Sequence, residues 1–179
     1  MLTYNICFIQ RGEELLLLNR ERASWMGSWN GVGGKLEQGE APRTAMRREI
    51  AEETGIRLEE ADIRYKGLVT WGSEEGGLGG MYLYTVRLDP DYPYPTPVKT
   101  EEGILDWKTT EWILHPQNTG VAANLPSYIP LMLQDEDCYD HRCLFSEGRL
   151  LSVVSVPVPT DSEEMSDYPL LRRSIPSFS

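Results

Sequence analysis

Glu49, Glu52 and Glu53 stand at i, i+3 and i+4, so on a helix they share one face. Like charges at these spacings cost about 0.2–0.5 kcal/mol per pair. Gly55 follows as a helix stop, which places Glu52 and Glu53 in a last turn, where the helix dipole disfavours anions by about 0.3–1 kcal/mol. Two readings account for the arrangement. In one, a solvated acidic face is paired by Arg47 and Arg48. In the other, the acids form a site for hard divalent cations, since carboxylate oxygens suit Mg²⁺ and Mn²⁺. Carboxylates 4 Å apart repel by about 4 kcal/mol at an effective dielectric near 20. A divalent ion reverses that sign and presents positive charge to a phosphate. Spacing alone leaves both readings open.

The elements that must hold these acids follow from turn residues and periodicity. Residues 2–10 and Glu14–Asn19, separated by Arg11-Gly12, predict a hairpin. Residues 22–39 carry Trp25, Met26, Trp29 and five glycines without a period, which predicts a loop whose backbone approaches something closely. Pro42 marks the first turn of a helix that Gly55 ends. Strands are expected at Ile63–Trp71 and Met81–Leu88, joined by a Gly-rich loop over 72–80, with another short strand at Gly103–Trp107. The four prolines of 89–97 exclude a central strand there. Within Asn124–Gln134 a helix is expected only after Pro126, limited or kinked by Pro130. Residues 139–145 and 150–156 predict a C-terminal hairpin, and the polar, Pro/Ser-rich residues 158–179 a mobile tail. The expected fold class is α+β: an α/β/α sandwich with a central mixed sheet, one domain over residues 1–157.

Composition narrows the partners. With 28 Asp and Glu against 17 Lys and Arg, the net charge is −11, which repels duplex nucleic acid and anionic membrane. A phosphorylated ligand then needs local cations. No apolar run approaches the roughly 20 residues of a membrane span. The segment MLTYNICFIQ lacks a basic region and a cleavage site, so the expected location is the cytoplasm. Three cysteines without a CxxC pair, and two histidines, argue against a structural zinc site. Cys143 and His141 form a conceivable nucleophilic pair, set against buried, inert thiols.

The stretch GGKLEQGEAPRTAMRREIAEETGI (33–56) carries more than three acids. Gly34, Glu40, Arg48, Glu49, Ile50, Glu52, Glu53, Gly55 and Ile56 match the pattern G-x5-E-x7-R-E-U-x-E-E-x-G-U, U being aliphatic, at every fixed position. In this the chain resembles the Nudix hydrolases, which cleave a nucleoside diphosphate linked to another moiety. The resemblance implies the Nudix fold with its loop–helix–loop, and Mg²⁺ (or Mn²⁺) held by Glu49, Glu52, Glu53 and the Gly34 carbonyl. It also implies that Arg48 orients the glutamates and that Glu53 or Glu52 is the base. Glu102 matches a downstream acid that some members use as ligand or base; it reads equally as a surface acid.

The flanks bear on the substrate. WNGVGGK (29–35) resembles the corresponding stretch of oxidised purine nucleoside triphosphate hydrolases, where Asn30 aligns with a purine-bonding residue and Lys35 joins the substrate contacts. AANLP (122–126) resembles a MutT-type segment whose Asn, here Asn124, reads the base. The alternatives are a turn residue and a helix cap. Arg20 lies where relatives place a cation near substrate, and Trp25, Trp29 or Trp71 could stack on a base. Relatives of the mammalian type carry Trp and paired Asp where this chain has Ala122, Asn124 and Leu125, which leaves the preferred base open. The resemblance therefore implies a nucleotide substrate, with purine (deoxy)nucleoside triphosphates, oxidised ones included, going to monophosphate and pyrophosphate. A hydrolase of ADP-ribose-like compounds and a non-catalytic nucleotide sensor are the competing expectations. A homodimer is compatible with the family.

Overall fold

Successive residues of β1 (Tyr4–Arg11) are buried on opposite faces, and the same holds for β2 (Glu14–Arg20). Cys7, Ile9, Leu16 and Leu18 join one apolar cluster; Ile6, Phe8, Leu15 and Leu17 join another. A strand buried on both sides needs a layer over each. In this computed structural model, which describes residues 2–73, 78–134 and 136–164, helix α1 (Pro42–Thr54) supplies one layer through Met46 and Ile50. Helix α3 (Leu125–Gln134) supplies the other through Leu125, Tyr128, Ile129 and Met132, with Ile113 of the short α2 (Thr110–Ile113) beside it. The α/β/α sandwich expected from the sequence is the fold observed.

The remaining strands are β3 (Trp29–Asn30), β4 (Ile63–Ser73), β5 (Leu78–Leu88), β6 (Val98–Lys99), β7 (Gly103–Thr109), β8 (Cys138–Ser146) and β9 (Arg149–Val158). Among the described residues the sheet order is β6-β7-β2-β1-β5-β4-β8-β9, with β3 on β2. It is mixed: β1–β5 and β4–β8 pair in parallel, whereas β1–β2, β2–β7, β4–β5 and β8–β9 are antiparallel. No described helix is long and apolar enough to cross a membrane.

Helix α1 begins and ends where its punctuation predicts. Pro42 occupies the first turn, whose N–H groups have no helical acceptor. Gly55 closes the helix at φ 75°, its N–H bonded to the Ala51 carbonyl.

Three local expectations are corrected. The β4–β5 connection is shorter than the loop 72–80, because Gly79 and Gly80 pair with Trp71 and Thr70. A Cβ on Gly79 would lie 2.4 Å from the Trp71 indole, so glycine there admits a ring rather than a turn. Helix α3 starts at Leu125 and continues through Pro130. Pro126 falls in its first turn, where a missing N–H costs no helical bond, and Pro130 loses only one. The tail begins later than residue 158. Val158 ends β9 buried, and Ser162 Oγ lies 3.0 Å from Tyr65 Oη. Glu163 accepts from Tyr84 Oη at 2.9 Å and from Arg43 of α1 at 3.1 Å, tying the C-terminal turn to the helix. Residues 165–179 lie outside the described residues.

The Cys143–His141 pair is not a nucleophilic pair. Both residues are buried, and the thiol donates to the His141 carbonyl rather than the ring. Burial pushes the Cys143 thiol up to about 11 and the His141 imidazole down to about 4, so neither reactive charged form is favoured. His141 stacks on Tyr128 at 5.1 Å, with Nδ1 2.7 Å from Ser155 Oγ. Its depressed pKa has a consequence for stability. Below about pH 6.5 the unfolded chain takes up a proton that the folded imidazole refuses until about pH 4. Stability from this group is therefore intact above pH 6.5 and falls by about 3 kcal/mol as the pH drops through that window. Urea denaturation of wild type and His141→Gln between pH 7 and 4 checks this: the wild type should lose more stability than the variant on acidification.

Candidate active site

The loop between β2 and α1 enters the sheet as a wedge. β1 and β2 pair only from Ile9–Arg11 to Glu14–Leu16. Before that point they splay, and β1 bonds the loop instead. Cys7 N–H donates to the Val32 carbonyl at 2.7 Å, and Asn5 N–H to the Gly34 carbonyl at 2.9 Å. β3 meanwhile pairs with Leu18 and Asn19 of β2. Gly33, at φ 149°, would press a Cβ to 2.4 Å from the Asn5 carbonyl, so only glycine lets the wedge seat. The wedge lays the backbone of Gly33 and Gly34 along the acidic face of α1. Gly33 N–H donates to Glu53 Oε2 at 2.9 Å. A Cβ on Gly34 would come within 2.7 Å of the Glu49 carboxyl, so its absence opens the place where that carboxylate lies.

Arg48 organises the acids from behind. It forks onto Glu40 through Nε and Nη2 (3.0 and 2.9 Å), reaches the Lys35 carbonyl at 3.2 Å, and bonds Glu49 and Glu52 through Nη1 at 2.8 and 3.1 Å. The fork holds the Glu40 carboxyl below its usual range. The two glutamates thus share a guanidinium, and among the described residues no three acidic, Cys or His side chains converge to metal-ligand distance. Burial raises Glu49 despite Arg48. Glu53 is pushed up to about 8, first by burial, then by the charges of Glu49 and Glu102, against the opposing Gly33 N–H and Arg20.

Arg20, Lys35, Gly34, Glu49, Glu52, Glu53 and Glu102 surround one cleft of about 410 Å³, so most of the acids and both cations expected from the sequence meet there. Arg48 stands outside it. Glu102 lies 3.6 Å from Arg20 and 3.4 Å from Arg22. Lys35 faces this acidic cleft. Asn30, Asn124, Trp25 and Trp71 line a second cavity of about 800 Å³, the size of a small-molecule site. Arg20, Gly33 and Gly34 border both spaces. The Asn30 Oδ1 accepts from Gly31 N–H at 2.9 Å, a turn-like contact. Asn124 directs its Nδ2 to Cys143 Sγ at 3.7 Å, and its buried Oδ1 has no partner. Trp25, at φ 66°, meets Phe145 edge-on at 6.3 Å. Trp29 is instead covered by Lys108, 4.4 Å from its ring, and does not line the cavity.

Asn5 and Phe145 are among the lining residues that the sequence did not single out. Phe145, one aromatic residue in the mixed sequence of β8, carries no local signal. Asn5 does: an amide in a strand of aliphatic and aromatic residues contradicts strand propensity.

The donor set fits a hard divalent cation. It is all oxygen, and the missing Cβ of Gly34 leaves room for the Glu49 carboxyl at the cleft wall beside the Gly34 backbone. The Gly34 carbonyl accepts one hydrogen bond, from Asn5, and keeps a second lone pair.

Comparison with known proteins agrees with this architecture. A model of the NUDIX domain matches residues 2–130. An uncharacterised Nudix hydrolase of Bacillus subtilis is 33% identical over 103 residues, covering 56% of this chain and 61% of that protein. The oxidized purine nucleoside triphosphate hydrolase of Mus musculus is 25% identical over 156 residues, covering 83% and 90%. Among solved structures, a MutT protein from Bacillus halodurans superimposes with a TM-score of 0.67 at 25% identity, over 87% of this chain and 98% of that one.

Proposed function

Because the chain belongs to the Nudix family, whose members act on phosphoric anhydride bonds and generally use divalent metal ions, we propose that it is a Mg²⁺-dependent hydrolase of purine (deoxy)nucleoside triphosphates. Oxidised purines are included, and the products are a nucleoside monophosphate and pyrophosphate. One observation carries the reading: Arg20, Gly33 and Gly34 border both the acidic cleft and the amide- and aromatic-lined cavity. Phosphates in the first and a base in the second would be joined by the sugar at that border. The mouse relative, named for oxidised purine triphosphates, spans most of the chain and supports this substrate class.

Glu49, Glu52, Glu53, Glu102 and the Gly34 carbonyl are the groups that would hold Mg²⁺, with Mn²⁺ as a substitute. The ion supplies positive charge against the phosphates and a water of lowered pKa. Everything else falls to the chain. Arg20 and Lys35 bind the phosphate oxygens in a protein whose net charge of −11 would otherwise repel them. Arg48 keeps Glu49 and Glu52 facing the cleft. As water attacks phosphorus in line and the bridging P–O bond breaks, Glu53 accepts the proton that the water loses. The electron pair of the broken bond stays on the bridging oxygen, which departs with the phosphate group that is not attacked. Asn30 and Asn124 bond the base, and Trp25 gives it a face to lie against.

The test is a product screen over nucleotides with Mg²⁺ or Mn²⁺, separating pyrophosphate from phosphate. Purine triphosphates should yield monophosphate and pyrophosphate, and Asn30→Ala and Asn124→Ala should each raise KM for them with little change in kcat. Turnover confined to ADP-ribose-like compounds, or nucleotide binding without turnover, would contradict the proposal.

A further inference from the structure

Glu102 occupies a position that a phosphate would contest. Its carboxylate lines the acidic cleft between two arginines, Oε2 3.6 Å from Arg20 Nη2 and Oε1 3.4 Å from Arg22 Nη1. Both contacts exceed the about 2.7–2.9 Å of a well-made charge-assisted bond, whereas Arg48 meets Glu40 at 2.9 Å and Glu49 at 2.8 Å. Arg20 also has capacity to spare, since its Nε is buried without a partner. The backbone around Glu102 is held on both sides. Glu21 N–H donates to the Glu102 carbonyl at 2.9 Å, Glu102 N–H donates to Thr100 Oγ1 at 3.2 Å, and Gly103 pairs with Arg20. The side chain, 32% exposed, is the part left free to move.

Two anions cannot both hold these guanidiniums. A phosphate is the stronger claimant, because it carries more charge and accepts from an arginine in a two-bond fork. Resting on the nucleotide reading above, we propose that Arg20 and Arg22 form a phosphate subsite that Glu102 fills in the free protein and vacates when nucleotide binds. Arg22, outside the residues lining either space, thereby joins the substrate contacts. The released carboxylate turns toward the cation that Glu49, Glu52 and Glu53 would share. This exchange couples the two ligands. Without the ion, nucleotide displaces an anion that gains nothing in return; with it, the displaced anion acquires a new partner. Linkage makes the effect reciprocal, so bound nucleotide also tightens the ion. Glu101 provides the contrast, since it lines the same cleft and has no arginine partner among the described residues.

Calorimetry tests this with a purine triphosphate analogue that has a methylene in place of the α–β bridging oxygen, titrated in EDTA and in Mg²⁺. In EDTA, Glu102→Gln should bind the analogue about three- to tenfold more tightly than wild type, the scale on which partly exposed ion pairs compete. The factor by which Mg²⁺ tightens the analogue should shrink by at least as much. Adding Arg22→Ala to Glu102→Gln should remove the gain seen in EDTA. Glu101→Gln makes the same change of charge in the same cleft and should stay near wild type. Circular dichroism establishes that each variant is folded. Glu102→Gln binding no more tightly than wild type in EDTA, undetectable binding by both included, overturns the inference. So does an equal gain in Glu101→Gln, since the net charge of the cleft would then suffice, or a gain that survives Arg22→Ala. If wild type still binds the analogue in Mg²⁺ in those cases, the nucleotide reading stands and only the exchange fails. If wild type binds it in neither condition, both fail together.

Discussion

Replacing Glu53 by Gln should lower kcat by about 10²- to 10⁴-fold, the range expected for loss of a general base, while the melting temperature holds or rises. The second half distinguishes the mechanism from a folding defect. Glu53 is half-buried beside Glu49 and Glu102, and burial has already pushed its carboxyl up to about 8. The fold therefore gains nothing from its charge. Gln preserves the volume, and its Oε1 can still accept from Gly33 N–H, now 2.9 Å from Glu53 Oε2. Steady-state kinetics and calorimetry on the same preparation check both halves. An active variant that melts at lower temperature would show that the acid braces the wedge loop and performs no chemistry.

Arg48→Lys should cost activity by about one to two orders of magnitude, as loss of a group that orients metal ligands does, with about 1–2 kcal/mol of stability. Five hydrogen bonds leave this guanidinium in three directions: a fork onto Glu40, one nitrogen shared by Glu49 and Glu52, and the Lys35 carbonyl. An ammonium keeps the charge and loses the planar fork, so it can satisfy one direction but not all three. The defect should appear as a higher Mg²⁺ concentration for half-maximal rate, with KM for nucleotide changed less. A full rate at limiting Mg²⁺ would remove Arg48 from the positioning role.

The helix and its acids were legible because their signals are local: Pro42 and Gly55 punctuate the chain, and i, i+3, i+4 spacing follows from helix geometry. The layered fold class was legible too, from strand signals mixed with few helices along the chain. Long-range pairing was not. The wedge exists because β1 and β2 splay and residues 31–36 fill the gap, and no pattern within 22–39 encodes a partner thirty residues upstream. Glycine is ambiguous for the same reason. At Gly79 it makes room for the Trp71 ring inside a hairpin, where the composition of 72–80 suggested a loop. Likewise the tail composition hid Ser162 and Glu163, whose partners on β4, β5 and α1 appear only once the sheet is assembled. Asn5 was missed because its partner, the Gly34 N–H that binds its oxygen, lies 29 residues away in sequence.

Whether the crowded face of α1 seats a cation is open to direct measurement. Titration of the protein with Mn²⁺, followed by electron paramagnetic resonance of the free ion, measures this without relying on turnover. Wild type should take up the ion, and Glu49→Gln, Glu52→Gln and Glu53→Gln should each weaken uptake at least about tenfold while remaining folded. Equal uptake by wild type and all three variants would place the ion elsewhere and leave the acidic face an ordinary solvated surface.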